Sequence, residues 1–355
     1  MPRSRATIRD VAALAGVSHQ TVSRVINNSE RVNDETRQRV ETAINELGYQ
    51  PNAIARSMAA GRTHTLACFS PNLTDYTYAS IIEGAENEAR QHGYFLITAS
   101  APDEPAFHLL VKQLVTSQRT EGLLLINPFM DERHTRLPRE VPTVFVGART
   151  SQDTLDSVFL DDEGAGALAT RHLTALGHRQ VAMITGPLRE DCSRERLAGY
   201  QAALAEVGVA FDPQLVFEGD WSATTGYQAV RHWLAGGVRF SAVFAQNDRM
   251  AVGALRALRE AGLHVPAAVS VIGFDDMPLA SYHDPALTTI RQDTFAMGRE
   301  AVRLLIRAIE NPEKAHHHRR MPVALVQRSS TAVYQPQEVN EDQETTTRNV
   351  TQHQP

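Results

Sequence analysis

Two cysteines, Cys68 and Cys192, are all that this 355-residue chain offers toward a disulfide or metal framework. They lie far apart in unlike contexts, so neither a bridge scaffold nor a metal-ligand spacing emerges, and each reads as an ordinary buried small residue. Long apolar runs are missing too: nothing approaches the roughly 18 residues that a membrane span needs. The basic start, Met1 to Arg5, runs into Arg9 and Asp10 instead of the apolar region of a secretion signal. A cytoplasmic protein with no membrane partner is expected. No glycine-rich, phosphate-cradling loop follows the first strand-like run, and no nucleophile stands beside a base, which argues against catalysis. The tract His316-His317-His318 has no second ligand group in view and reads as solvated, so neither metal nor cofactor is expected.

What the chain does have is core material and unevenly placed charge. With 42% hydrophobic residues it has room for two or three packed units. Its formal net charge is −6, yet Met1 to Arg62 holds nine Arg and no Lys against six Asp and Glu, a net of +3 that leaves −9 on the remainder. A cationic N-terminal sixth attached to an acidic body suits a small module that contacts phosphates.

That module is organised around Thr7 to Asn27, TIRDVAALAGVSHQTVSRVIN. Two short amphipathic segments flank Gly16-Val17-Ser18, and the Ser18 hydroxyl is placed to accept a hydrogen bond from amides two or three residues on. The stretch reads as helix, tight turn, helix. In the second helix Val22, Val25 and Ile26 recur on one side, while Gln20, Ser23, Arg24 and Asn27 recur on the other. Gln and Arg make paired hydrogen bonds to adenine and guanine edges, and a major groove admits a helix that presents them. His19 starts the helix within reach of a base edge, and Thr7, Ser18 and Thr21 are further candidate DNA contacts. A third helix, Asp34 to Leu47, has Asn33 as its cap, Gly48 as its stop and Val40, Ala43, Ile44 and Leu47 as its apolar stripe.

Tyr49 to Thr63, YQPNAIARSMAAGRT, comes next. Pro51 opens a helix, but Asn52 to Ala59 is only two turns, too short to hold together alone. Asn52, Ala55, Arg56 and Met58 are its candidate DNA contacts, with Met58 as an apolar wedge for the minor groove. Folding only on contact would make this segment a switch.

From His64 the pattern changes. TLACF, YFLITA, GLLLI, TVFVG, QVAMIT, SAVFA and VSVIGF are continuous apolar runs, the type expected of strands covered on both faces. Between them, 79–92, 105–117, 164–176, 195–207, 225–235, 249–261 and 295–310 carry helical spacing. Strand and helix alternate, so the fold class is a doubly wound parallel α/β body, and the number of strands suits two sheets. Ligands of such sheets bind beyond the carboxyl ends of the strands. Asn72, Asp75 and Tyr76 lie after TLACF, Asn127 after GLLLI, Asn247 and Asp248 after SAVFAQ, and Asp275 and Asp276 at the end of VSVIGFDD. Arg196 heads a helix after QVAMITGP, and Trp221 sits in the loop EGDWSA. A sugar offers an apolar face and a rim of hydroxyls; Trp221 and Phe159 would supply the faces and Arg196, Asn247 and Asp275 the rim, with Gln292 a further effector-binding candidate. Plainer uses stay open: Trp221 as core filler, Arg196 in a surface ion pair, Asp275 as a loop cap.

TIRDVAALAGVSHQTVSRVIN and ELGYQPNAIARSMAAGRT resemble the headpiece and hinge helix of the lactose-repressor/galactose-repressor family of bacterial transcription regulators. RLAGY, EGDWSA, NDRMAVGALRAL, VSVIGFDD and LTTIRQD resemble that family's effector domain, and together the match covers about nine-tenths of the chain. The resemblance implies a helix-turn-helix headpiece (1–50), a hinge helix (51–63) and a two-lobed body like the periplasmic sugar-binding proteins (64–334). The N-lobe would comprise about 64–163 plus 293–322, and the C-lobe about 164–292 plus 323–334. It places His19, Gln20 and Arg24 on base-reading positions, Met58 on the hinge wedge where Leu is usual, and Arg196, Trp221, Asn247 and Asp275 on effector contacts. Asn72 to Tyr76 and Gly147 depart from the pattern of the lactose-responsive members.

The function implied is a repressor of carbohydrate-use genes on pseudo-palindromic operator DNA, controlled by a sugar effector, with a galactoside or other disaccharide favoured. A purine or nucleoside effector, or a corepressor that tightens binding, is the alternative. The tail 335–355 is polar and expected to be disordered; it lacks the apolar heptads of a tetramerising helix, so a homodimer is expected. A glycosidase built on Asp248 and Asp275 is disfavoured for want of a nucleophile and base, and a transport receptor would need export and leave residues 1–63 without a use. Deleting residues 1–63 is therefore expected to abolish salt-sensitive affinity for duplex DNA in a mobility-shift titration; affinity that survives the deletion would contradict the assignment.

Overall fold

The computed structural model describes residues 6–26, 29, 31–50, 62–126, 137–138, 140–147, 155–312 and 316–335. Asn27, Asn127, the hinge positions Asn52, Ala55, Arg56 and Met58, and the tail from 336 lie outside the described residues.

Three helices form the N-terminal unit, and their ends are set by local hydrogen bonds. Helix α1 (Ile8–Ala15) starts at Thr7 in a reciprocal box: the Asp10 carboxylate accepts from the Thr7 amide at 2.7 Å, and the Thr7 hydroxyl accepts from the Asp10 amide at 3.4 Å. It ends at Gly16, whose φ of 64° is the left-handed conformation that glycine reaches without a steric penalty. Helix α2 (His19–Ile26) begins at Ser18, whose Oγ accepts from the Thr21 amide at 3.1 Å. Helix α3 (Asp34–Leu47) begins at Asn33, whose Oδ1 accepts from the Thr36 amide at 2.9 Å. Val11, Ala15, Val22, Val25, Val40 and Ala43 close the small core. Arg39 reaches from α3 to the Ala15 carbonyl at 2.5 Å, a cation at the C-terminus of α1 where the helix dipole favours one.

The body opens with β1 (Thr65–Ser70), α4 (Tyr76–Gln91), β2 (Phe95–Ser100) and α5 (Glu104–Leu110), which runs on as a wider π turn to Thr116. Then come β3 (Gly122–Ile126), β4 (Thr143–Val146), β5 (Asp156–Leu160), α6 (Asp162–Ala175), β6 (Val181–Thr185), α7 (Asp191–Glu206) and β7 (Val216–Glu218). The rest is α8 (Ala223–Ala235), β8 (Ala242–Ala245), α9 (Asp248–Glu260), β9 (Ser270–Asp275), β10 (Thr288–Gln292), α10 (Thr294–Glu310), β11 (His318–Met321) and β12 (Val323–Val326). The strands form two six-stranded sheets, β11-β5-β4-β3-β1-β2 and β12-β10-β9-β8-β6-β7, each the centre of one lobe. The chain passes between the lobes at Asp161, Asp293 and Pro322.

Two expectations need correction. The sheets are not wholly parallel: β12 runs antiparallel to β10, because the single residue between β11 and β12 leaves no room for the crossover that a parallel pairing requires. Nor is every apolar run covered on both faces. Strand β2 is an edge strand, with Phe95 75% and Ile97 39% exposed. No helix among the described residues is long and apolar enough to cross a membrane.

The helices flanking the sheets approach one another backbone to backbone. A Cβ on Gly253 of α9 would lie 1.9 Å from the Ala223 carbonyl oxygen at the start of α8, and one on Gly199 of α7 would lie 1.9 Å from the Glu163 carbonyl oxygen on α6. Backbone cannot swing aside as a side chain can. Gly253→Ala is expected to destabilise the C-lobe by about 1–3 kcal/mol, read as a melting temperature lower by about 2–4 °C per kcal/mol. An unchanged melting temperature would mean that the α8–α9 contact is looser than described.

Candidate functional site

The carboxyl ends of both sheets border a cleft, the place where ligands of such sheets bind. Asp75, Arg196, Trp221, Asn247, Asp275 and Gln292 line it, with Ile126, Val146, Leu160 and Met297 as its apolar wall.

Arg196 anchors the floor. It lies in the second turn of α7 and not at the helix head, because the helix starts earlier than its apolar spacing suggests, at Asp191. Its Nε donates to Asp162 Oδ1 at 2.7 Å and its Nη1 to the Gln246 carbonyl at 2.9 Å. The guanidinium also lies 3.6 Å from the centroid of the Phe274 ring, a contact worth up to about 2 kcal/mol where water is excluded. The ion pair is thus buried, not superficial, with both side chains under one-tenth exposed. Burial works against the charge on Arg196, but the Asp162 carboxylate outweighs it and the guanidinium holds its proton more tightly than usual.

Trp221 forms one wall. Its backbone sits at φ 67°, and its ring lies so close to Gly186 that a Cβ there would be 2.1 Å from it. The indole Nε1 donates to Glu190 Oε2 at 2.8 Å, and the Trp221 carbonyl accepts from Asn247 Nδ2 at 3.1 Å. Asn247 also caps α9, its Oδ1 accepting from the Met250 amide at 2.8 Å, so one side chain ties the Trp221 loop to a helix end. Asp275 closes β9 at φ 109° and accepts from Gln292 Nε2 at 2.5 Å. Burial, and then the neighbouring Asp248 carboxyl, push its pKa well above the ordinary range. Asp248 lies behind it, accepting from Thr289 Oγ1 at 2.6 Å and the Met277 amide at 2.8 Å; burial pushes its pKa up to about 7.

Asp75 has a task that its strand-end position does not reveal. One oxygen caps α4 through the Thr77 amide at 2.9 Å, and the other pairs with Arg249 of α9, on the opposite lobe. Three other candidates need correction or narrowing. Phe159 does not line the cleft; its neighbour Leu160 does, and successive residues of a strand face opposite sides. Tyr76 is exposed as the first residue of α4, whereas Tyr78, further round the helix, lines the cleft. Asn72 accepts from the Thr74 and Asp75 amides at 3.1 and 2.8 Å and lines an outer concavity beside Trp221 and Arg249. The residues that strand-end reasoning passed over are Asp162, Glu190 and Arg249, all at or beside helix starts, and Tyr78. Among the described residues no cluster of His, Cys, Asp and Glu could hold a metal ion; His318 instead shares a 2.8 Å hydrogen bond with Ser157.

On the N-terminal unit, His19, Gln20 and Arg24 stand exposed on α2, with Thr21 and Ser23 half-buried beside them. Thr7 and Ser18 are engaged as helix caps.

Residues 7–52 match the family model described as bacterial regulatory proteins, lacI family, and residues 170–331 match a periplasmic binding protein-like domain. The ribose operon repressor of Escherichia coli K12 is 36% identical over 329 residues, 92% of this chain and 99% of that protein. This chain belongs to the LacI family. A second member, the HTH-type transcriptional repressor PurR of Klebsiella pneumoniae strain 342, is 35% identical over 92% of this chain and 97% of its own length. Among solved LacI-family structures, the lac repressor dimer bound to operator and the anti-inducer ONPF superposes with a TM-score of 0.86 at 33% identity, covering 93% of this chain and all of that one.

Two outcomes follow for this LacI-family cleft. Arg196→Ala strands the Asp162 carboxylate in the interior and is expected to cost about 3–5 kcal/mol of stability in a denaturant titration; a loss under about 1 kcal/mol would mean that the pair is solvated. Asp248 binds its proton more tightly when folded, with a pKa of about 7 against an ordinary 3.8. Its contribution to stability is therefore full in acid and lost as pH rises toward and through 7. Between pH 5 and 8 the melting temperature of the wild type should fall more steeply than that of Asp248→Asn, and parallel curves would refute the shift.

Proposed function

We propose that the protein is a transcriptional repressor of carbohydrate-use genes, binding a pseudo-palindromic operator as a cytoplasmic homodimer and changing its grip when a saccharide occupies the cleft. One observation carries the effector reading: an indole wall, Trp221, meets buried Arg196 and Gln292 and half-buried Asp275 at the cleft. A sugar ring needs both an apolar surface and paired donors and acceptors, and a galactoside or other disaccharide is the favoured class. The DNA reading rests on Gln20 and Arg24, which α2 holds exposed.

Features of the body support coupling and pairing. Glu121 accepts from Arg62 Nε at 3.1 Å and from the His64 amide at 2.6 Å, while Arg62 also donates to Tyr94 at 2.5 Å. The N-lobe is thereby bonded to the chain just after the hinge positions. Exposed Phe95 and Ile97 in the N-lobe, and Leu279 and Tyr282 in the C-lobe, are apolar surface that a second copy would cover.

The test begins with in vitro selection of duplexes, followed by fluorescence anisotropy. Gln20→Ala and Arg24→Ala should each weaken the selected duplex by about 1–3 kcal/mol and relax specificity at one position. A bound saccharide should change affinity roughly 5- to 150-fold. If no mono- or disaccharide alters it while a purine or nucleoside does, the effector class is wrong; if nothing does, the sensor reading falls.

A further inference from the structure

The ionisable groups of the cleft are unequally matched. Four carboxyls, Asp75, Asp162, Glu190 and Asp275, line it against two guanidiniums, Arg196 and Arg249. Both cations are committed: Arg196 to Asp162 at 2.7 Å, and Arg249 to Asp75 across the lobes. No guanidinium or ammonium among the described lining residues is left for an incoming anion. Glu190 and Asp275 are left with acceptor capacity instead. Among the described residues Glu190 takes one side-chain hydrogen bond, from the Trp221 indole at 2.8 Å, and Asp275 takes one, from Gln292 at 2.5 Å. A carboxylate has about four acceptor sites, and a buried one with a single bond is under-satisfied.

The placement of Glu190 sharpens this. It occupies the cap position of α7, where backbone amides and the helix dipole favour an anion, yet its side chain makes no capping bond. It is 5% exposed and borders both the cleft and the outer concavity. The spot at this helix start where a phosphate or carboxylate of a ligand would be drawn is therefore already filled by a carboxyl of the chain, held against the wall that a sugar ring would face. Burial raises the pKa of both Glu190 and Asp275, outweighing the Trp221 indole and the Gln292 amide that donate to them and the guanidiniums nearby.

We propose that Glu190 is an effector-binding residue which, with Asp275, restricts the cleft to uncharged or cationic hydrogen-bond donors, neutral sugars and amino sugars, and excludes sugar phosphates and uronates. The inference rests on the reading of the cleft as a saccharide receptor. Hydroxyls donate to the two carboxyls, an ammonium does so with added charge, and an anionic group meets like charge where both described lining guanidiniums are already paired. Glu190 makes this choice because it stands beside Trp221, at the edge of the ring that a sugar would cover.

Matched probes separate this inference from the reading beneath it. Full-length protein is titrated at pH 7.5, by calorimetry and thermal shift, with ribose and ribose 5-phosphate, and with galactose, galactosamine, galacturonate and galactose 6-phosphate. Lactose and lactobionate form a third set. In whichever set binds, the neutral or amino member is expected to bind at least tenfold tighter than its acidic counterpart. Glu190→Gln keeps an acceptor for the Trp221 indole; it should lose preference for the amino sugar and narrow the neutral-to-acidic ratio at least fivefold. An acidic member bound as tightly as its neutral parent overturns the inference and leaves the receptor reading intact. So does a Glu190→Gln protein that binds the neutral sugar with all ratios unchanged. If no probe of any charge binds, the receptor reading fails and the inference fails with it.

Discussion

A guanidinium removed from water must be satisfied from every side, and Arg196 is. Asp162 brings the counter-charge from the start of α6, the Gln246 carbonyl takes a second hydrogen bond, and Phe274 covers the face. Three elements of the C-lobe are fixed relative to one another by this one side chain. Because desolvating a charge costs several kcal/mol, the arrangement persists only while all its partners stay in place. The Gln246 side chain continues the same network, donating to the Ser193 carbonyl at 3.0 Å and accepting at 3.0 Å from the amide of Gly186, the residue against which Trp221 packs. Cleft floor and cleft wall are therefore joined in one polar network without any ligand, and such preorganisation lowers the ordering cost of binding.

Movement has to come from elsewhere, and the connections between the lobes are where the structure permits it. Three short crossings join the lobes, two of them at the aspartates Asp161 and Asp293 that cap α6 and α10. The Asp75–Arg249 pair adds a polar contact from lobe to lobe. A ligand that seats between Asp275 on one lobe and the apolar residues of the other gains or loses contacts as the lobes rotate. Only such a difference between states can shift an equilibrium. Glu121 binds Arg62 and the His64 amide where the DNA-binding unit joins the body, which bonds the N-lobe to that junction.

How much of this was legible in the sequence differs from element to element. The three N-terminal helices were, because each boundary is written in local chemistry: Ser18, Asn33, Gly16 and Gly48 act on residues two to four away. All seven helices read in the body begin one to four residues earlier than their apolar stripes suggest, since caps such as Asp161 and Asn247 precede the first buried position. Strands β5, β7, β10, β11 and β12 escaped notice because they are short or carry polar side chains, as in TTIRQ and HRRM, and their identity comes from neighbours far away in sequence. The same limit applies to the cleft. Asn247 and Asp275 could be collected from strand ends alone, whereas Gln292, at the end of the unread β10, came only through the resemblance around LTTIRQD. The inward face of β5, which selects Leu160 over Phe159, depends on register against β4 and β11, and the uses of Asp75 and Glu190 depend on partners 174 and 31 residues away.

The central claim is that the cleft and the DNA-reading unit share one equilibrium. Linkage makes that claim reciprocal: whatever factor a saccharide imposes on operator affinity, operator must impose on saccharide affinity. The most direct measurement is a calorimetric titration of a binding saccharide into full-length protein, with and without saturating selected duplex. The account predicts two saccharide dissociation constants whose ratio equals the fold-change in duplex affinity measured by anisotropy. Identical saccharide affinities in the two titrations would contradict it.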